Sequence, residues 1–135
     1  MKNLKKIDFF DDNFFLYFEE IDLCRRLKNN NSKIFIDPSI KVDHLGGASH
    51  NSEIEKPMEL SRNWHWMWST FYFYKKHYGY SIAMIKILPK LFSSSIKFVI
   101  FFITFQKYKS EIYKHRLSGI INSVLLKKSW YRPKL

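Results

Sequence analysis

Cysteine is nearly absent from this 135-residue chain, acid is nearly absent from its second half, and no long unbroken apolar run occurs in it. The single cysteine, Cys24, excludes an intramolecular disulfide, and no Cys/His spacing suggests a zinc site; such usage fits a reducing compartment. Met1-Lys-Asn-Leu-Lys-Lys6 leads into acids instead of an apolar core, so no N-terminal signal peptide is expected. The longest apolar stretch free of hydroxyls and charges is Phe98 to Ile103, whereas a spanning helix needs about 20 mostly apolar residues. Interfacial association is expected for residues 82–128, not membrane crossing. No internal repeat and no low-complexity segment occurs. What is present is apolar and aromatic: 46% hydrophobic and 19% aromatic residues exclude a disordered chain. The length suffices for one small domain and not for two independent enzyme domains.

Charge is divided unevenly along the chain. Residues 1–60 hold 9 Lys/Arg against 11 Asp/Glu, a net of −2, while residues 61–135 hold 14 Lys/Arg against Glu111 alone, a net of +13. The total of +11 is therefore carried by the rear, which suits an anionic surface. No recognised RNA or DNA module organises these charges, so nucleic acid is not the expected partner.

Local patterning predicts the elements. Phe14 to Phe18 reads as a short buried strand, and Glu19 to about Lys28 as a helix with Ile21, Cys24 and Leu27 on one face. After the Asn29–Ser32 loop, Lys33 to Ile36 and Ile40 to His44 read as strands around an Asp37-Pro38-Ser39 turn. Leu45 to Ser52 is a loop whose Gly46 and Gly47 permit positive φ. Pro57 opens a strongly aromatic helix to Tyr78, stopped by Gly79, and residues 64–78 are expected to pack. Residues 107–128 read as a basic amphipathic helix.

The acids Glu19, Glu20 and Asp22 end the aromatic run. Glu19 and Glu20 lie about 100° apart on a helix and cannot both point at one substrate atom. Asp22 is four residues before Arg26, the spacing of an intrahelical ion pair. Two readings stand side by side: acids favoured by a helix N-terminus, or a carboxylate placed for chemistry. His44, at a strand end, reads either as locally satisfied or as a ligand.

Phe10-Asp-Asp-Asn-Phe-Phe-Leu-Tyr-Phe-Glu-Glu-Ile-Asp-Leu-Cys-Arg-Arg26, followed by Pro38 and His44-Leu-Gly-Gly-Ala-Ser49, resembles the second half of the catalytic domain of family 2 glycosyltransferases, especially rhamnosyltransferase-like members. The stretch from Arg62-Asn63 to Gly79 resembles the helix that follows, and Ser129-Trp-Tyr-Arg-Pro133 a common ending. The resemblance implies an α/β fold: part of a GT-A-like mixed sheet in residues 1–56, an aromatic helix at 57–80, and a helical, partly amphipathic tail at 81–135. It implies an inverting, sugar-nucleotide-dependent transfer with Glu20 as the base that takes the acceptor hydroxyl's proton. Glu19, Asp22, Gly46, Gly47 and Arg62 would bind substrate, a solvated helix charge being the other reading of Arg62. His44 would help hold a divalent metal, Mn²⁺ or Mg²⁺.

The chain departs from the family pattern in two places. Asp8-Phe9 stands where the family carries Gly-Gly, and the nucleotide-binding βαβ half with its Asp-x-Asp motif is absent from these residues. The expectation is an acceptor-side portion that is inactive alone, completed by a donor-binding half. The implied partners are a sugar nucleotide, a glycan or lipid-linked acceptor, and an anionic membrane on whose cytoplasmic, inner face it lies peripherally. The alternative is a non-catalytic membrane-surface or interaction protein derived from that scaffold.

Overall fold

A computed structural model describes residues 9–42 and 54–133. They form four helices, α1 (Glu19–Asn29), α2 (Glu55–Tyr78), α3 (Tyr80–Ile103) and α4 (Lys107–Val124), and no strand occurs among the described residues. The expected α/β fold with a partial mixed sheet is thus corrected to a helical one.

The physical reasons differ for each misread strand. Phe14 to Phe18 is apolar because it lies on α2. Phe14 is buried with its ring 4.9 Å from that of Tyr72, Phe15 lies 4.8 Å from the His65 ring, and Phe18 packs against Trp66 and Phe73. Tyr17 and Phe18 take φ of 68° and 72°, left-handed values that no strand accommodates. Lys33 to Ile36 and Ile40 to Val42 find no neighbouring strand among the described residues, so no ladder holds them. Their apolar side chains lie open, with Phe35 84% and Ile36 91% exposed. A two-residue alternation marks the capacity to enter a sheet, and a sheet needs a partner. His44, Gly46 and Gly47 lie outside the described residues.

α2 organises the rest. It opens at Glu55, two residues before the expected Pro57, which sits in the first turn where its missing N–H is tolerated. Its core face, with Met67 and Phe71, meets Ala83 and Ile87 of α3 and Ile120 of α4. Each large apolar side chain so buried contributes about 1.5–3 kcal/mol. Gly79, at φ +86°, is the one residue between α2 and α3, and that backbone turn is what requires glycine. Gly119 serves another purpose: a Cβ there would stand 2.3 Å from the Trp64 carbonyl oxygen, so its bare backbone lets α4 approach α2.

The segment after α4 folds back onto α2. Trp68 Nε1 donates to the Lys127 carbonyl at 3.0 Å, and Trp130 Nε1 donates to Asn122 Oδ1 at 3.0 Å. His65 is fully buried, with Nε2 2.9 Å from the Tyr131 carbonyl and Nδ1 3.0 Å from Ser129 Oγ. The carbonyl only accepts, so Nε2 carries the proton and the neutral ring's Nδ1 accepts from the serine hydroxyl. Burial lowers the His65 pKa to about 4; the Tyr131 hydrogen bond opposes this and nearby Arg132 adds to it.

α3 is apolar on two faces. Ala83, Ile87 and Ser94 are buried against the other helices, while Ile85, Phe92, Ile96, Val99 and Ile103 are 51–66% exposed on the opposite side. No helix among the described residues is long and apolar enough to cross a membrane.

Candidate functional site

The three acids after the aromatic run separate into different environments at the start of α1. Asp22 is fully buried. Arg26 Nε donates to its Oδ2 at 2.7 Å, while Lys76 Nζ and His77 Nε2, both from α2, stand 2.8 Å from its Oδ1. Burial raises the Asp22 carboxyl, but hydrogen bonds from Lys76, Arg26 and His77 outweigh it and hold the pKa below its ordinary value. Asp22, the residue expected in substrate binding, ties α1 to α2, and the intrahelical pair with Arg26 is present as its spacing suggested.

Lys76 also reaches Asp11 Oδ2 at 2.7 Å, and the Tyr72 hydroxyl donates to the same oxygen at 2.9 Å. Burial raises the Asp11 carboxyl, and hydrogen bonds from Lys76, Asn13 and Tyr72 overcome this to hold it at about 2. Burial and the adjacent Asp11 push the Tyr72 phenol well up. A wide cleft of about 1080 Å³ opens beside this cluster, lined by Phe9, Asp12, Asn29 and His77 among others, and Glu20 does not line it.

Glu20, the candidate base, is exposed on the first turn of α1, and no hydrogen bond or ion pair reaches it among the described residues. Glu19 is half-buried, and its Oε2 is enclosed without a hydrogen-bond partner among the described residues. Three carboxylates in one turn offset the exposed N–H groups of a helix whose preceding residue, Phe18, offers no side-chain cap. Arg62 stands on α2 in a separate cleft with Tyr17, Glu59, Asn63, Trp66 and Arg116.

Sequence reasoning missed the pairing of Asp22 with Lys76 and His77. They stand 54 and 55 positions apart, and no local period carries such a contact. The only signal was indirect: a buried acid needs cations, and Lys75, Lys76 and His77 cluster at the end of an otherwise aromatic helix.

The residues described do not suit a metal. No group of three or more His, Cys, Asp or Glu among them could hold one, and Asp11 and Asp22 already share the Lys76 ammonium. Compared with protein-family models, curated proteins and solved structures, the chain matches none.

Proposed function

We propose that this chain is the acceptor-side portion of an inverting, sugar-nucleotide-dependent glycosyltransferase, with a surface polysaccharide or a lipid-linked glycan as its acceptor and rhamnose as one candidate for the sugar moved. The observation that carries the reading is the division among the acids: Asp22 is taken up by Arg26, Lys76 and His77, and Glu20, two residues away, is exposed and unpaired among the described residues. A general base must be free to meet a hydroxyl, and such catalysis contributes about two to four powers of ten in rate. Glu20 takes that role and Glu19 flanks it. In this reading the contribution comes from α1 and α2, since no strand occurs among the described residues. Sugar-nucleotide binding, and any divalent metal with it, belongs to a complementing donor half. The purified chain with dTDP-rhamnose should transfer no sugar, and a complementing donor-binding half should restore transfer; transfer by the chain alone contradicts the reading.

A second reading concerns location, and the two-faced α3 favours it. The outward stripe from Ile82 to Ile103 runs about 32 Å, and Lys86, Lys90 and Lys97 fall within about 40° of one another along one edge of it. Such a helix suits the plane of an anionic bilayer surface, with apolar side chains inserted and lysines at the headgroups. Peripheral attachment to the cytoplasmic face of the membrane fits both a lipid-linked acceptor and the non-catalytic alternative.

A further inference from the structure

The cleft between α2, α4 and the residue run before α1 brings two guanidiniums together with one carboxylate, Glu59. It measures about 190 Å³ and is lined by Tyr17, Glu59, Arg62, Asn63, Trp66 and Arg116. Arg116 Nε donates to Asn63 Oδ1 at 2.7 Å, and Asn63 Nδ2 in turn donates to the Glu59 carbonyl and to Glu59 Oε1, at 2.9 and 2.7 Å. This chain of bonds uses one donor of Arg116 and fixes its side chain in place. Arg62 is half-buried and makes no hydrogen bond or ion pair among the described residues. Trp66 is 40% exposed, with Tyr17 edge-on at 5.2 Å. The Tyr17 phenol is raised first by burial; Arg62 lowers it, and Glu59 and Glu19 raise it.

We propose that this cleft binds a phosphorylated sugar. Two guanidinium forks match a phosphate dianion better than a single carboxylate, because each presents parallel N–H donors to two oxygens. An exposed indole beside a phenol offers an apolar face to the C–H side of a sugar ring, and the Glu59 carboxylate accepts from a ring hydroxyl. The proposal rests on the acceptor-side reading for its meaning, since Tyr17 stands two and three residues before Glu19 and Glu20 in the chain, but not for its test. The phosphate would come either from a lipid-linked sugar diphosphate or from a free sugar phosphate.

The test follows the Arg62 and Arg116 Nε–H resonances by NMR while glucose 1-phosphate is added to the whole chain, with no turnover required. Both resonances should shift saturably, and Arg62→Gln or Arg116→Gln should weaken binding at least about tenfold. Lys107→Gln, an equal loss of charge at the start of α4, should change it less than about twofold. Arg62→Lys keeps the charge without the fork and should also bind weakly, which covers a Gln variant that fails to fold. Inorganic phosphate should bind more weakly than the sugar phosphate. A farnesyl-diphosphate-linked glucose in zwitterionic vesicles, titrated alongside, identifies the lipid-linked source if it binds more tightly and the free source if it does not. No saturable shift, equal weakening by Lys107→Gln, or equal affinity for inorganic phosphate would overturn the proposal.

Discussion

At Asp22 two cations, Arg26 and Lys76, and the His77 ring converge on one carboxylate that has no exposure to water, and such a cluster holds only while every member is present. His65 is the other buried titratable residue whose state matters to the fold. Its folded pKa, about 4, lies below its ordinary 6.5, so the folded chain binds fewer protons than the unfolded one across that window. Stability is therefore full above about pH 6.5 and falls as the pH drops toward 4, by about 1.4 kcal/mol per unit. Urea unfolding should show a loss of roughly 2–3 kcal/mol between pH 7.5 and pH 4.5 from this residue, and His65→Gln should shrink the difference by about that amount. An unchanged slope would mean that the ring is not held neutral. Of these residues, sequence showed the Asp22–Arg26 pair, because four-residue spacing is local. It could not show His65 under the Ser129–Tyr131 segment, because that contact exists only once the chain folds back.

Among the elements, the helices were legible and the strands were not. Glu19 to Asn29 and Glu55 to Tyr78 carry their own signals: acids at the start, a glycine after Tyr78, and apolar positions at helical spacing. Phe14 to Phe18 carries only apolarity, which a segment lying on an aromatic helix needs as much as a strand does. α3 was read from its composition as interfacial, and the structure adds that it is one helix through Pro89 with two apolar faces. The α2–α4 crossing gives a sharp test. Glycine within a helix ordinarily costs about 0.5–1 kcal/mol relative to alanine, so a change to alanine there is normally stabilising. At Gly119 the sign should reverse, because the added Cβ meets the Trp64 carbonyl at 2.3 Å. Gly119→Ala should lower unfolding stability by about 1–3 kcal/mol in a thermal or urea melt. A gain in stability would show that the helices do not approach this closely.

For the whole molecule, charge and apolar exposure point the same way. The +11 chain disfavours self-association through its basic rear, and the same charge attracts an anionic surface. With liposomes rich in anionic lipid the chain should float at low salt and be released in part at high salt, and Phe92→Glu with Ile96→Glu should abolish flotation. Equal flotation on neutral liposomes would remove the role assigned to the lysines, and none on anionic ones would remove the surface itself. The central claim is that Glu20 is free for chemistry and Asp22 is structural, and one paired comparison in a complemented enzyme tests it most directly: Glu20→Gln and Asp22→Asn, each measured for melting midpoint and turnover. The account predicts that Glu20→Gln leaves the midpoint unchanged and lowers turnover by about 10²–10⁴, while Asp22→Asn costs about 3 kcal/mol of stability, on the order of 10 °C. Full turnover in Glu20→Gln, or an unchanged midpoint in Asp22→Asn, would contradict it.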